Sequence, residues 1–348
     1  MKIVLVAFAL SFALPCSAQY GQKQPDMVIS NRIRAELIDS VISRISNGYV
    51  FADKTANLEK ALRKYEKEGV PGDSVSSIVF VEQINRLLFL ASNDKHLQLL
   101  YSHGKLPNQD RKEGPLPEFI TQFAIEHNYG FEKLEILKGN IGYINILGFF
   151  PFEEARNAAI SAFRFVENTS ALIVDIRQNN GGETNISNFI ISYFFDQKPV
   201  NFLSTQFRKD RRLEQTWSAF YLPGTRYLNR PVFILTSNQT FSAGEAMAFV
   251  LQYFKKATIV GEVTGGGGNI CDLLKLNDHF MINLPVAYPS VPGTNKNWDG
   301  TGVVPDIKIS SDKALEAALS EAARLLSDST RRLAAPHRPI STIPAISP

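Results

Sequence analysis

The sequence predicts an α/β core on a mainly parallel sheet, preceded by a small N-terminal helical bundle, and three observations lead there. Apolar residues recur at helical spacing over 27–49, 56–68 and 75–90, with brief connections between them. From residue 118 onward helical and strand-like runs alternate, the pattern left by strand–helix–strand crossovers. Several of those strands run into polar, glycine-bearing loops, and in a parallel sheet the loops beyond the strand C-terminal ends usually carry function.

The chain of 348 residues is 44% hydrophobic and 20% charged, an ordinary globular composition that supplies a sizeable core. Length alone suggests two domains, or one large domain with an appendage. Residues 1–18 read as a secretory signal, with Lys2 as the positive start, Ile3 to Leu14 as the apolar stretch and Cys16-Ser17-Ala18 as a small-residue cleavage site. The mature chain is then expected to begin near Gln19 and to be exported, periplasmic or secreted. Lipid anchoring at Cys16 fits less well, because Pro15 stands just before it. The apolar stretch is too short to span a bilayer and no later one approaches the length needed, so stable membrane insertion is not expected. Removing residues 1–18 deletes only Lys2, leaving 36 basic against 34 acidic residues and a net charge of +2. That balance gives no electrostatic case for nucleic acid. It also leaves Cys271 as the one thiol, so no intramolecular disulfide is expected.

Taken in order, residues 19–92 form the expected helical domain, broken at Gly69-Val70-Pro71-Gly72-Asp73. Asn93-Asp94-Lys95-His96 closes it and leads into a strand at 97–101 and a polar loop at 102–117. The α/β core, residues 93–331, follows. Helices are predicted at 118–127, 152–165 and 185–195, and strands at 134–137, 141–146, 171–176 and 202–207. After the strand at 232–235 and its helix come strands at 258–263, 270–274, 281–284 and 303–309, then an amphipathic helix at 312–326 capped by Ser311. Residues 332–348, rich in proline, serine and threonine, are expected to be a flexible tail.

The organising stretch is Pro231 to Ala248. An apolar strand passes through a polar turn into Ser242-Ala243-Gly244-Glu245 and a helical pattern. A serine there projects from the end of a sheet beside the unpaired N–H groups of a first helical turn, which makes Ser242 a candidate nucleophile. Ser-x-x-Glu before an apolar run is equally the capping-box signature. The stretch is not the Gly-x-Ser-x-Gly elbow either, since Thr240 stands in place of the first glycine.

A second strand, 171–176, ends in Gln178-Asn179-Asn180-Gly181-Gly182, whose glycine amides could face a substrate or form an ordinary turn. Gly265 to Gly268 lacks the companions of a phosphate loop and reads better as a mobile hairpin or cleft wall. The five histidines are scattered without metal-site spacing, so no metal or cofactor is expected. His96 by itself reads as a surface histidine, and Asp299 as a turn aspartate.

Together, LIVDIRQNNGG at 172–182, ILTSNQTFSAGE at 234–245, IVGEVTGGGGN at 259–269 and DGTGVVPDIKI at 299–309 resemble the tail-specific, or C-terminal-processing, serine peptidases. The blocks occur in family order over about half of the chain. The N-terminal helices and NDKHLQLLYS at 93–102 look most like the retinoid-binding-protein-like branch. The resemblance implies a crotonase/ClpP-like core. It makes Ser242 the nucleophile, and the N–H of Ala243 with one from Gly181 or Gly182 the oxyanion hole. In the branch that uses a Ser-Lys dyad, a lysine follows the Thr-x-Gly of the glycine-rich block; Gly267 takes that place here. Another base is then required, because a serine hydroxyl is a poor nucleophile near neutral pH. The tricorn-like branch draws a histidine from the N-terminal part and an acid from just before Gly-Val-x-Pro-Asp, which here are His96 and Asp299. Most such relatives carry glutamate where Asp299 stands; Glu262 and Glu245 are the fallback acids. Too few residues separate Leu100 from Ile141 for the PDZ module of the dyad branch.

The resulting expectation is an exported serine peptidase acting on peptide or protein substrates through a Ser242–His96–Asp299 triad and an acyl-enzyme. The alternative, from the retinoid-binding relatives, is a non-catalytic carrier of apolar small molecules on the same scaffold. A crotonase-type enzyme acting on a thioester fits poorly with an export signal.

Overall fold

The computed structural model describes residues 25–68, 72–106 and 118–334. The secretory segment, the Cys16 anchor and residues 335–348 of the expected tail lie outside the described residues.

Two short strands, β1 (Val28–Ser30) and β2 (Ser74–Ser76), pair antiparallel and bracket the first helices. α1 spans Asn31–Gly48, α2 Thr55–Glu68 and α3 Ser77–Ser92. Ser30 and Ser76 cap α1 and α3 by accepting from the N–H groups of Ile33 and Val79. α3 ends on Asn93, whose left-handed backbone (φ 55°) turns the chain sharply. This is a common helix stop, since asparagine tolerates that conformation.

The strand β3 (Gln98–Tyr101) follows, then α4 (Glu118–Glu126), β4 (Phe131–Leu137), β5 (Ile141–Ile146), α5 (Phe152–Val166), β6 (Ala171–Asp175) and α6 (Thr184–Ser192). The second half contains β7 (Asn201–Phe207), β8 (Leu213–Trp217), β9 (Val232–Thr236), α7 (Ala243–Tyr253), β10 (Thr258–Gly261), β11 (Ile270–Lys275), β12 (Phe280–Ser290) and β13 (Ile307–Lys308). α8 (Ala314–Ala334) closes the described chain and continues beyond the predicted helix, through 332–334.

The main sheet has six strands in the order β13-β10-β9-β6-β5-β4, parallel throughout except for the β5–β4 hairpin. Its central strands, ALIVD in β6 and VFILT in β9, are buried at every position, as strands covered on both faces must be. Helices α5, α6 and α7 pack on one face around Phe163, Tyr193, Met247 and Leu251. α8 lays Ala314, Ala318 and Ala322 on the other face, against Ile173, Phe233 and Val260. Alanines spaced four apart bring that helix close to the strands.

A second, antiparallel sheet runs β11-β12-β7-β8, with β3 added alongside β12. It departs from the expectation that these strands continue one mainly parallel sheet. The N-terminal helices share a core with this sheet: Leu37, Ile38, Phe80 and Leu88 pack with Leu97, Leu99, Phe280 and Ile282.

In the main sheet Asp175 lies opposite Leu235, and Leu235 opposite Val260. The loops after β6, β9 and β10 therefore leave the sheet at one level and meet along one rim.

Candidate active site

The loop after β9 is held from within. The Thr240 hydroxyl donates to the carbonyl of Ile176 (2.8 Å) and accepts from the Ser237 N–H (3.0 Å), while the Phe241 N–H donates to the Asn179 carbonyl (2.9 Å). Ser242 follows at φ 52°, ψ −121°. A side chain at positive φ is strained by roughly 1–3 kcal/mol, and such strain persists where the surroundings over-determine it. An ordinary helix cap has an extended backbone instead. Ser242 therefore sits on a forced strand-to-helix elbow, and α7 begins immediately after it.

The Glu245 half of the capping box is present: its carboxylate accepts from the Ser242 N–H at 2.9 Å. The same carboxylate, fully buried, also accepts from the Thr264 hydroxyl (2.5 Å) and from the N–H groups of Gly266 (2.6 Å) and Gly267 (2.7 Å). Burial pushes its carboxyl up to about 7, against four hydrogen bonds that favour the ionised form. Glu245 is thus the clamp between the elbow and the glycine-rich loop after β10. Glu262, the other fallback acid, accepts from the backbone of Asn238 (3.3 Å) and Ser311 (3.1 Å).

Asn179, wholly buried, orders the loop after β6. Its amide donates to the Ile146 carbonyl (3.1 Å), and its side-chain oxygen accepts from the Gly181 N–H (2.8 Å). The Gly181 N–H is thereby engaged. The N–H groups of Gly182 and Ala243 have no hydrogen-bond partner among the described residues, and both residues line one cavity with Ser242. Of the three amides read from the sequence, Ala243 and Gly182 are the available pair.

His96 arrives on the short connection between α3 and β3. It is 3% exposed, not a surface residue, and neither ring nitrogen has a hydrogen-bond partner. Its backbone is fixed: the N–H donates to the Asp94 carboxylate (2.9 Å) and the carbonyl accepts from the Asn283 amide (2.7 Å). Its ring lies against that of Phe241, the residue before Ser242, with centroids 4.6 Å apart. Burial lowers the imidazole pKa to about 4, partly offset by the charge of Asp299. A Cβ on Gly267 would come within 2.7 Å of His96 Cε1 and would strike the Phe241 ring as well. A lysine in that place is incompatible with these two rings.

Asp299 is half-buried and accepts from the Gly268 N–H at 3.0 Å. A ring nitrogen of His96 and one oxygen each of Asp94 and Asp299 all lie within 4.8 Å of one another. Burial, followed by the charge of Asp94, raises the Asp299 carboxyl pKa. Asp94 itself is 2% exposed and accepts from the Tyr49 hydroxyl (3.1 Å) and the Asn269 amide (3.2 Å). The sequence reading assigned no role to Asn179, Phe241, Asp94 or Asn269. Their signal was adjacency alone: each stands within three residues of a residue it did single out.

The cavity beside Ser242 measures about 640 Å³. Ala246, Gly267 and Trp298 line it together with Ser242, while Leu203 and Phe207 of β7 form a wall and Arg44 of α1 stands among its polar lining.

Residues 140–309 match the model of Peptidase family S41. The chain is 27% identical over 190 residues to a carboxyl-terminal-processing protease of Picosynechococcus, covering 54% of this chain and 44% of that one. It is also 27% identical over 168 residues to the chloroplastic carboxyl-terminal-processing peptidase 2 of Arabidopsis thaliana, covering 48% and 31% respectively. The chain thus spans less than half the length of these relatives. Among solved structures, the photosystem II D1 C-terminal processing protease aligns with a TM-score of 0.50 at 15% identity, over 82% of this chain and 94% of that one. A lipoprotein of Streptococcus agalactiae aligns at 0.53 and 14% identity, over 87% and 99%. At such identities these likenesses speak for the fold.

Proposed function

We propose that this chain, which belongs to peptidase family S41, hydrolyses peptide bonds through an acyl-enzyme formed on Ser242. The observation that carries this reading is the strained Ser242 elbow, which opens onto the same cavity as the unpartnered amides of Gly182 and Ala243.

In this reading the Ser242 hydroxyl attacks the scissile carbonyl and His96 takes its proton. The Gly182 and Ala243 N–H groups receive the oxyanion. Protonated His96 then gives the proton to the leaving amine, and water repeats the sequence on the ester. Asp299 orients the ring and balances the imidazolium charge. Neither ring nitrogen of His96 is hydrogen-bonded to the Ser242 hydroxyl or to Asp299; the reading of His96 as the base rests on its ring packing against Phe241, the residue before Ser242, and on a ring nitrogen lying within 4.8 Å of an Asp299 oxygen. The partners are peptide or protein substrates. Export is proposed on the Lys2, Ile3–Leu14 and Ala18 pattern of the first residues.

An activity-based fluorophosphonate probe tests the reading. Labelling of the folded protein that disappears in Ser242→Ala supports it. Absence of labelling, with a small apolar ligand retained in the 640 Å³ cavity, would favour the carrier function.

A further inference from the structure

Asp94 and Asp299 share one small region with His96, and among the described residues no lysine or arginine forms an ion pair with either carboxylate. The nearest lysine in sequence, Lys95, gives its ammonium to the Gly265 carbonyl at 2.6 Å. A buried carboxylate beside a half-buried one, without a cation, is costly unless something positive joins them. Beside them stand a 3%-exposed imidazole whose two nitrogens lack partners and a 4%-exposed Asn269 whose side-chain oxygen lacks one. The Asn269 amide already donates to Asp94, so its free oxygen borders the same cluster.

We propose that Asp94, His96 and Asp299 form a binding site for a divalent cation of the zinc class, and that its occupation takes the imidazole away from Ser242. One nitrogen and two carboxylate oxygens suit zinc, and the resulting complex is neutral, so burial no longer opposes it. Water or the Asn269 oxygen completes four-coordination. Donor atoms around zinc stand about 3.4 Å apart, so a cluster now spanning up to 4.8 Å contracts by up to about 1.4 Å on binding. Asp94 and Phe241 also line a second cavity of about 390 Å³, separate from the one beside Ser242. The inhibitory half of this proposal rests on His96 being the peptidase base; the binding half does not.

The test uses the full chain freed of metal by a chelator. Zinc titration followed by calorimetry should show one equivalent bound, and cobalt(II) in its place should give the visible bands of a four-coordinate ion. His96→Gln and Asp299→Asn should each weaken binding by at least about a hundredfold, more than the loss of an outer-shell partner costs, with circular dichroism confirming that both are folded. Magnesium, which demands six oxygen ligands, should not compete. Zinc should slow fluorophosphonate labelling of Ser242 by at least about tenfold, in step with site occupancy. No bound equivalent in the wild type, or undiminished binding in His96→Gln, overturns the site. Binding that leaves Ser242 labelling unchanged overturns the inhibition. If zinc binds as described while the metal-free protein is never labelled, the cation site stands and the peptidase function fails.

Discussion

The His96 and Phe241 rings stand 4.6 Å apart, tilted by 44°, so the residue next to Ser242 also covers the candidate base. The aromatic cover contributes to the desolvation that holds the imidazole pKa down to about 4. Phe241→Ala should admit water and let His96 titrate closer to its ordinary value of about 6.5. Following the His96 ring protons by NMR across pH 3–8 measures this; an unmoved midpoint would show that Phe241 contributes nothing to the burial.

The depressed pKa of His96 also fixes the sign of a stability effect. Between about 4 and 6.5 the unfolded chain binds a proton that the folded chain does not, so this group's contribution grows as pH rises through that window and is lost as pH falls. Denaturant unfolding of the wild type against His96→Gln should therefore show a difference that widens by about 3 kcal/mol from pH 4 to pH 6.5.

Glu245 acts in the opposite direction. Its folded-state pKa is raised from 4.5 to about 7, so its proton-linked contribution is greatest below 4.5 and declines as pH climbs to 7. Glu245→Gln should remove that decline. It should also cost about 2 kcal/mol at neutral pH, because the amide turns a donor toward backbone N–H groups that now have an acceptor. Urea unfolding at several pH values reads both effects.

Gly267→Ala should lower thermal stability by about 1–3 kcal/mol through overpacking against His96 and Phe241. Combined with Phe241→Ala, the loss should be less than the sum of the two single changes, since one ring then no longer stands in the way. Strict additivity in this double-mutant cycle would place the strain elsewhere.

At position 242 glycine and alanine should part company. Both should abolish probe labelling, but Ser242→Gly also relaxes the φ of 52° and should be more stable than Ser242→Ala by about 1 kcal/mol. Equal melting temperatures would mean the elbow stores no strain.

Much of the main sheet was legible in the sequence because β6 and β9 are unbroken apolar runs with glycine- or serine-bearing ends. β8 was missed: its alternation of exposed and half-buried residues, Leu213 to Trp217, belongs to a solvated edge and has little apolar signal. β12 runs to Ser290 although Pro285 and Pro289 argue against a long strand. Pro285 falls where this strand changes neighbour, from β3 ending at Asn283 to β7 beginning at Ala287. At the site, residue types and order pointed to Ser242, His96 and the glycine amides. Which glycine N–H is free depends on where the Asn179 side chain lands, and whether Glu245 is acid or clamp depends on a loop about twenty residues away. Neither is a local property.

Because β3 carries the chain directly from His96 into the antiparallel sheet, and Leu97 and Leu99 are buried in the same core as α1 and α3, the helical region is welded to its support. A protein trimmed to start at residue 93 would present a bare greasy sheet where those helices had been, and would be expected to clump before its activity could be assayed. Shortening this scaffold would first require re-clothing β3 and β12.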